Sequence, residues 1–172
     1  GIIFVANGSS LLRFSSASTI QGNVLPAAIV RGSLTRLNGT ALLSYDIGSD
    51  RLYVPNGGDS SILLFDQASQ SSENIAPTRW IVGTNSRLSS PLQVAVDKDR
   101  GFIYVANGDS TVLVFSIAQI NQGDLAPVRT LSGATTRFSS ISSIAVDTTS
   151  DRLMVANAGT NSVLFFDNAS GL

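Results

Sequence analysis

The chain has 172 residues, of which 43% are hydrophobic and only 13% are charged, and its formal net charge is −1. This length and apolar content suffice for one folded domain with a core, whereas so few charges exclude a basic nucleic-acid-binding surface. Cysteine is absent, which excludes disulfides, zinc–thiolate sites and iron–sulfur clusters. No run of about 18 apolar residues occurs, so the sequence predicts no membrane-spanning helix.

A unit of about 50 residues repeats along the chain. Its first anchor is a Val-Ala-Asn or Val-Pro-Asn triplet, which recurs at intervals of 49, 51 and 50 residues and ends at Asn7, Asn56, Asn107 and Asn157. The second anchor is an arginine ten residues after a proline, found as Arg36, Arg87 and Arg137. The third is an aspartate ten residues further on, found as Asp46, Asp97 and Asp147. Three anchor series with the same step indicate tandem repeats.

The predicted elements follow one order in each repeat, and we name them strands A to D. Strand A is β-branched and ends at the repeated aspartate, and strand B ends at the repeated asparagine. Strand C is apolar throughout, and strand D follows a polar connection that holds the proline. In chain order, the first repeat has strands B, C and D, the second and third repeats each have strands A, B, C and D, and the last repeat has strands A, B and C. The clearest cover residues 51–54, 62–65, 78–82, 92–97, 102–105, 112–115, 128–131, 144–147, 152–155 and 163–166.

Further features of the strands predict their surroundings. Strand C is apolar on both faces, which predicts that neighbouring sheets cover both of them. The Asn-Gly pairs at residues 7–8 and 107–108 are predicted to supply positive φ for tight hairpins between strands B and C. No segment shows a capped apolar period of 3.6 residues, so helix content is predicted to be near zero.

Four antiparallel strands in a unit of about 50 residues are typical of a β-propeller blade. The sequence therefore predicts an all-β protein, a β-propeller of four-stranded blades with about 3.5 blades in a single domain over residues 1–172. The blade-like repeats cover approximately residues 1–40, 41–90, 91–140 and 141–172. Three alternatives stay open: a ring of four sheets with two incomplete, a head-to-tail ring of two copies with about seven or eight sheets, or a fragment of a longer propeller. We favour assembly with another copy or another propeller segment.

Several sequence motifs point to a known family. They are Val-Ala-Asn-Gly, an apolar strand ending in Phe-Asp, Gly-Asp-Leu-Ala-Pro-Val-Arg, Ser-Gly-Ala-Thr-Thr-Arg-Phe and Ile-Ala-Val-Asp. Together they resemble bacterial NHL-type and YVTN-type propeller repeats over essentially the whole chain. The resemblance implies the propeller fold, but such propellers include lactonase-like enzymes, lyases and binding scaffolds. Function therefore has to be argued from a site.

Each repeated polar position has a structural and a functional interpretation. The aspartates are predicted to cap the A–B turn through Asx hydrogen bonds, the alternative being calcium or substrate ligands. The arginines are predicted to tie one blade to the next through carboxylate or carbonyl contacts, the alternative being an anion-binding ring. The asparagines are explained as hairpin residues, the alternative being a channel-facing role. Trp80 is predicted to pack against a neighbouring loop, the alternative being contact with a partner or a sugar ring.

These observations predict a non-catalytic propeller that acts as a binding or assembly scaffold, without a cofactor and with a ligand that the sequence does not identify. The alternative is a lactonase-like or lyase-like enzyme with a metal at the central channel, which needs an inward-facing cluster of carboxylates, Asn and usually His. Histidine is absent, which weakens the enzyme hypothesis, although an Asp can act as a base and calcium needs no His. A hydroxyl-rich surface with one lysine, Lys98, is typical of exported proteins, so we expect a periplasmic, cell-surface or secreted location.

Overall fold

The computed structural model covers residues 1–172 and contains four β-sheets, with short 3₁₀ turns as its only helical structure. Sheet 1 consists of β1 (Ile2–Asn7), β2 (Ser10–Ser15) and β3 (Ala28–Val30). Sheet 2 consists of β4 (Ser44–Asp46), β5 (Arg51–Asn56), β6 (Ser61–Asp66) and β7 (Arg79–Ile81), with β11 (Gln122–Gly123) added at its edge. Sheet 3 consists of β8 (Gln93–Asp97), β9 (Phe102–Ala106), β10 (Val112–Ser116) and β12 (Arg129–Leu131). Sheet 4 consists of β13 (Ile141–Asp147), β14 (Arg152–Asn157) and β15 (Ser162–Asp167).

Every strand that the sequence analysis delimited is present, and the expectation of almost no helix is confirmed. Within the sheets all neighbouring strands pair in antiparallel fashion except one. The exception is β11, which was not predicted and pairs in parallel with β7 of the preceding sheet. No helix of the chain has the length and apolar character needed to cross a bilayer.

The turns between strands B and C differ in part from the prediction. Gly8 has the expected positive φ of 61° in the β1–β2 hairpin, but Gly108 is absent from the residues with positive φ. In the β9–β10 turn the left-handed residue is instead Ser110, with φ of 63°. Gly108 is instead needed because the backbone of the D–A connection lies close to it. Its N–H donates to the Ser89 carbonyl over 2.8 Å, and a Cβ at this position would also lie 2.8 Å from that oxygen.

The core is divided into three hydrophobic clusters, each between two successive sheets. Strand β6 shows the pattern, because Leu63 packs between sheets 1 and 2 and its neighbour Leu64 packs between sheets 2 and 3. The prediction that both faces of strand C are covered is confirmed for β6 and β10. It is wrong for β15, where Val163 and Phe165 are exposed because no further sheet lies against sheet 4.

Candidate functional site

The repeated asparagines clamp the connection that enters each sheet. The Asn107 Oδ1 accepts a hydrogen bond from the Ser89 N–H over 2.8 Å, and its Nδ2 donates to the Arg87 carbonyl over 3.0 Å. Asn56 and Asn157 make the same pair of bonds to their own connections. All three side chains are fully buried. Each asparagine therefore joins the end of strand B to the D–A connection, which lies outside the hairpin.

Asn7 occupies the same repeat position, but it is exposed and its side chain makes no such bonds. Residues 1–172 contain no D–A connection for Asn7 to bind. The prediction that hairpin chemistry accounts for these asparagines is incomplete. Each buried Nδ2 does donate within its own B–C turn, to Ser61, Asp109 and Thr160 respectively. The clamp was not predicted because the groups that it binds lie 18 and 20 residues away in sequence, whereas turn chemistry considers only adjacent residues.

The repeated arginines act mainly through their backbone. Arg36, Arg87 and Arg137 adopt left-handed φ values of 58°, 57° and 60°, and the asparagine clamp binds their carbonyl oxygens. None of the three side chains forms an ion pair with a carboxylate. The Arg36 guanidinium lies over the Trp80 ring, 3.9 Å from its centroid, and Trp80 packs against the cluster between sheets 1 and 2. The predicted contacts of the guanidinium groups with carboxylates or carbonyls are therefore not present, because the carbonyl in each clamp is the arginine's own.

The repeated aspartates lie at the A–B turns and bond within them. The Asp46 carboxylate accepts from the Gly48 N–H and the Ser49 hydroxyl, and the Asp147 carboxylate accepts from the Thr149 N–H and the Ser150 hydroxyl. Asp97 is fully buried and accepts from both the backbone and the side chain of the arginine three residues further on. This geometry is that of Asx turn capping.

The hydrogen bonds of the turns change the acidity of the carboxyl groups. Burial raises the pKa of Asp46, but bonds from the Ser49 hydroxyl and the Gly48 N–H outweigh this effect, so the pKa lies below its ordinary value. The Ser150 hydroxyl, followed by two backbone N–H groups, lowers the pKa of Asp147. Both carboxyl groups are therefore held as carboxylates more strongly in the folded chain than in the unfolded chain.

These depressed pKa values predict that the fold loses stability in acid. A carboxyl with a lower folded pKa contributes stability that is complete above its unfolded pKa, about 3.9 for Asp, and lost as the pH falls through the folded value. We expect the urea midpoint to be nearly constant from pH 7 to about pH 5 and to fall below about pH 4. Ser150→Ala should lessen that fall, because it removes the main group that lowers the pKa of Asp147.

Urea titrations between about pH 2 and pH 7 measure this effect. A suitable control is Ser15→Ala, since Ser15 is exposed at the end of β2 and its hydroxyl makes none of the hydrogen bonds to the repeated aspartates. Its pH profile should match that of the unchanged protein. A midpoint that rises on acidification contradicts the assignment of these carboxylates as stabilising turn caps.

Two cationic side chains between the sheets were missed by the sequence analysis. Arg100 donates to the Thr148 carbonyl over 2.7 Å and lies 3.6 Å from Asp151, so it ties sheet 3 to sheet 4. Lys98 lies 3.6 Å from Asp46 and makes the equivalent link to sheet 2. Arg100 occurs in a single repeat, which gave no periodic signal. The blade-to-blade role predicted for the repeated arginines belongs in part to this residue.

A second kind of inter-sheet contact runs along the outer strands. We name the part of each C–D connection that contacts the preceding sheet the rim segment. The rim segment at residues 72–74 pairs with the edge of β3, where the Glu73 N–H donates to Ile29 and the Glu73 carbonyl accepts from Arg31. Its Asn74 side chain accepts from the Leu34 N–H over 2.8 Å. Strand D is therefore covered on its outer edge by the following repeat.

The rim segment at residues 121–124 repeats this arrangement on sheet 2. The Trp80 N–H donates to the Asn121 carbonyl over 2.9 Å, and the Val82 N–H donates to Gly123 over 3.0 Å. The Asp124 carboxylate then accepts from two backbone N–H groups in the turn after β7, at residues 85 and 86. In both rim segments the capping side chain, Asn or Asp, stands three residues before the proline of the repeat.

The two ends of the row of sheets are uncovered. On sheet 1, Ile3 and Val5 are 40% and 39% exposed, and on sheet 4, Val163 and Phe165 are 57% and 59% exposed. The residue equivalent to Phe165 in sheet 2 is Leu64, which is completely buried. None of the three hydrophobic clusters joins sheet 4 to sheet 1. The four sheets therefore present an apolar face at each end.

No group of three or more Asp or Glu side chains comes together in a way that could hold a metal ion. A recess of about 390 Å³ lies between the turn of Arg87 and strand D of sheet 3, where Thr130 takes the place of Trp80. No carboxylate lines that recess. Arg129 also lacks the carboxylate that its equivalent Arg79 has, and it lies over the Phe102 ring at 4.4 Å instead. These features provide no acid–base pair.

Comparison with known proteins supports the fold. No family model and no curated protein sequence matches the chain. A chain in the crystal structure of a mitotic checkpoint complex is similar over 100% of this chain, with a TM-score of 0.66 and 15% identity. This chain corresponds to 45% of the length of that one. The likeness shows the fold alone, an all-β, propeller-like row of antiparallel sheets, and a fold carries no function by itself.

Proposed function

We propose that the chain is a non-catalytic β-propeller scaffold that assembles with another copy or another propeller segment to complete a ring. The observation that carries this proposal is the pair of uncovered apolar faces on sheets 1 and 4. Contiguous exposed apolar surface on a folded domain marks an interaction site. The similar chain belongs to a protein complex, which supports the inference that this chain also has protein partners.

The position of the two faces favours a ring. They lie at opposite ends of one row of sheets, and each equivalent face inside the row is covered by a neighbouring sheet. A contact between the sheet 4 face of one copy and the sheet 1 face of another is therefore heterologous, and repetition of such a contact closes a ring when the rotation permits. The packing of sheet 3 on sheet 4 provides the geometric template for that contact.

Other parts of the proposal depend on the sequence. The repeated motifs support membership of the NHL-type and YVTN-type propeller group, and the hydroxyl-rich, lysine-poor surface supports an extracytoplasmic location. Turn capping by the repeated aspartates and clamping by the buried asparagines support structural roles for them.

Removal of apolar surface from the sheet 4 face is expected to weaken self-association. Phe165→Ser should raise the dissociation constant about 30-fold, because burial of one phenylalanine contributes about 2 kcal/mol. Light scattering and sedimentation velocity over a range of concentrations measure this shift.

The control variant for this experiment is Ile47→Ser. Ile47 is 81% exposed in the A–B turn of sheet 2 and lies on neither end face, so its substitution should leave the association unchanged. A particle of 18.0 kDa, the mass of one chain, at every concentration would contradict assembly between copies. An equal effect of the two substitutions would show that the end face is not the contact.

A further inference from the structure

The arginine of strand D in sheet 3 lacks the carboxylate that its equivalent in sheet 2 binds. In sheet 2, Arg79 donates to both carboxylate oxygens of Asp66, over 3.2 and 3.3 Å. The strand register places Arg129 at the position of Arg79 and Ser116 at the position of Asp66. The residue opposite Ser116 is Phe102, where sheet 2 has an arginine. Arg129 forms no ion pair.

Three buried polar atoms at this position have no hydrogen-bond partner. They are the Nε and Nη2 of Arg129 and the hydroxyl of Tyr104. Tyr104 is fully buried between sheets 3 and 4, in the same cross-strand row as Arg129. The Nε and Nη2 atoms form one edge of the guanidinium, from which two N–H bonds point in parallel. The Arg129 Cζ lies over the Phe102 ring, 4.4 Å from its centroid, and this ring offers no lone pair to the edge.

The nearest carboxylates bind other groups. Asp97 accepts from the backbone N–H and the guanidinium of Arg100. Asp151 accepts from the N–H and the hydroxyl of Ser170. Burial, which is the largest effect, and these two carboxylates raise the pKa of Tyr104. The Tyr104 hydroxyl therefore keeps its proton at neutral pH and can act as a donor.

We propose that Arg129 and Tyr104 bind a small monocarboxylate anion between sheets 3 and 4. Its two oxygens accept from the Nε and Nη2 edge in one plane, because the planar guanidinium fork matches a carboxylate. The Tyr104 hydroxyl donates a third bond. Arg129 and Ser116 are half-buried, so the site lies at the border of the packed contact, within reach of solvent. Acetate has the atoms of an aspartate side chain and is therefore the ligand to test.

The site does not involve the outer edge of β12. In sheet 2 the rim segment at residues 121–124 covers the equivalent edge, yet the Arg79 guanidinium donates only to Asp66. The side chains of that rim segment bind backbone groups instead. A buried guanidinium without a partner costs stability, so an anion on its free edge stabilises the fold. This inference goes beyond the proposed function and does not rest on it.

Titration of the isotope-labelled chain with sodium acetate, followed by NMR, tests the site. The Arg129 Nε–H signal should shift saturably, with a dissociation constant on the order of 1 mM for so small a ligand. Sodium chloride at the same ionic strength should not reproduce the shift. Tyr104→Phe removes only the hydroxyl and should weaken acetate binding about tenfold, as expected for loss of one bond to a charged group. Arg129→Lys keeps the charge without the two-donor edge and should weaken binding at least as much.

Ser116→Asp supplies the carboxylate from within the chain. It should abolish the saturable acetate shifts and raise the urea midpoint of the acetate-free chain, because Arg129 then has the partner that Arg79 has. The matched control is Ser15→Asp in sheet 1. Ser15 has the repeat position of Ser116, but the strand D residue there is Ala28. The same change of charge should therefore not raise the midpoint.

Several results would overturn the site. They are the lack of a saturable shift with acetate, an equal shift with chloride, and undiminished acetate binding by Ser116→Asp. Equal gains in urea midpoint for Ser116→Asp and Ser15→Asp would also contradict it. Titrations at concentrations where the chain is monomeric separate this inference from the proposed function. Self-association without a response to acetate rejects only the carboxylate site, and acetate binding by a strictly monomeric chain rejects only assembly between copies.

Discussion

Asn107→Ala is expected to lower the free energy of unfolding by about 2 kcal/mol, because it leaves two partly buried backbone groups without their partner, at the lower end of the range of about 1–3 kcal/mol each. The side chain is fully buried, and it binds the N–H of Ser89 and the carbonyl of Arg87. Urea unfolding, with the slope checked for constancy, measures the change.

The chain provides a control at the same repeat position. Asn7 is exposed and clamps no connection, so Asn7→Ala should change the free energy of unfolding by less than about 0.5 kcal/mol. The contrast between the two variants tests the clamp, because the residue type and the flanking Val-Ala-Asn-Gly sequence are the same. Equal losses of unfolding free energy in the two variants would contradict a stabilising role for the clamp.

Leu64→Ala is expected to lower the free energy of unfolding by about 2–5 kcal/mol, the range for removal of a buried leucine side chain. Leu64 is completely buried between sheets 2 and 3. The expected loss combines the transfer of apolar atoms to water with the cavity that the closely packed neighbours leave unfilled. Calorimetry or urea unfolding measures it.

Phe165→Ala is the matched control, since Phe165 has the same strand position in sheet 4 but is 59% exposed. At concentrations where the chain is monomeric, this substitution should cost less than about 1 kcal/mol, despite the larger side chain removed. A loss as large as that of Leu64→Ala would mean that the sheet 4 face is covered within one chain. That result would also contradict the proposed assembly surface.

The proposed assembly has a physical basis in the packing of successive sheets. Sheets 2 and 3 each pack one face on the sheet before and the other face on the sheet after, and the rim segments of residues 72–74 and 121–124 each cover the strand D before them. A row of such units always ends with unused contacts. Unpaired strand edges and apolar faces recruit further strands or sheets, so the ends are the places where assembly is expected.

Strands and turn caps could be predicted because they depend on neighbouring residues. Strand C is a run of apolar residues, and the aspartates bond to groups two or three residues away, as at Asp46 and Gly48. The asparagine clamp and the rim contacts could not be predicted in the same way. Asn107 binds groups 18 and 20 residues away, and Asp124 binds groups 38 and 39 residues away, after two sheets have packed together.

The sequence by itself determined an all-β chain of tandem repeats and the order of its strands, because apolar runs and turn residues act locally. The first repeat has strands B, C and D, the next two have A, B, C and D, and the last has A, B and C. The tertiary structure decided which of these equivalent strands are covered. Leu64 and Phe165 occupy the same position in their repeats, yet one is buried and the other exposed. The difference arises because burial depends on whether a neighbouring sheet is present, and a repeat sequence encodes the same strand in either case.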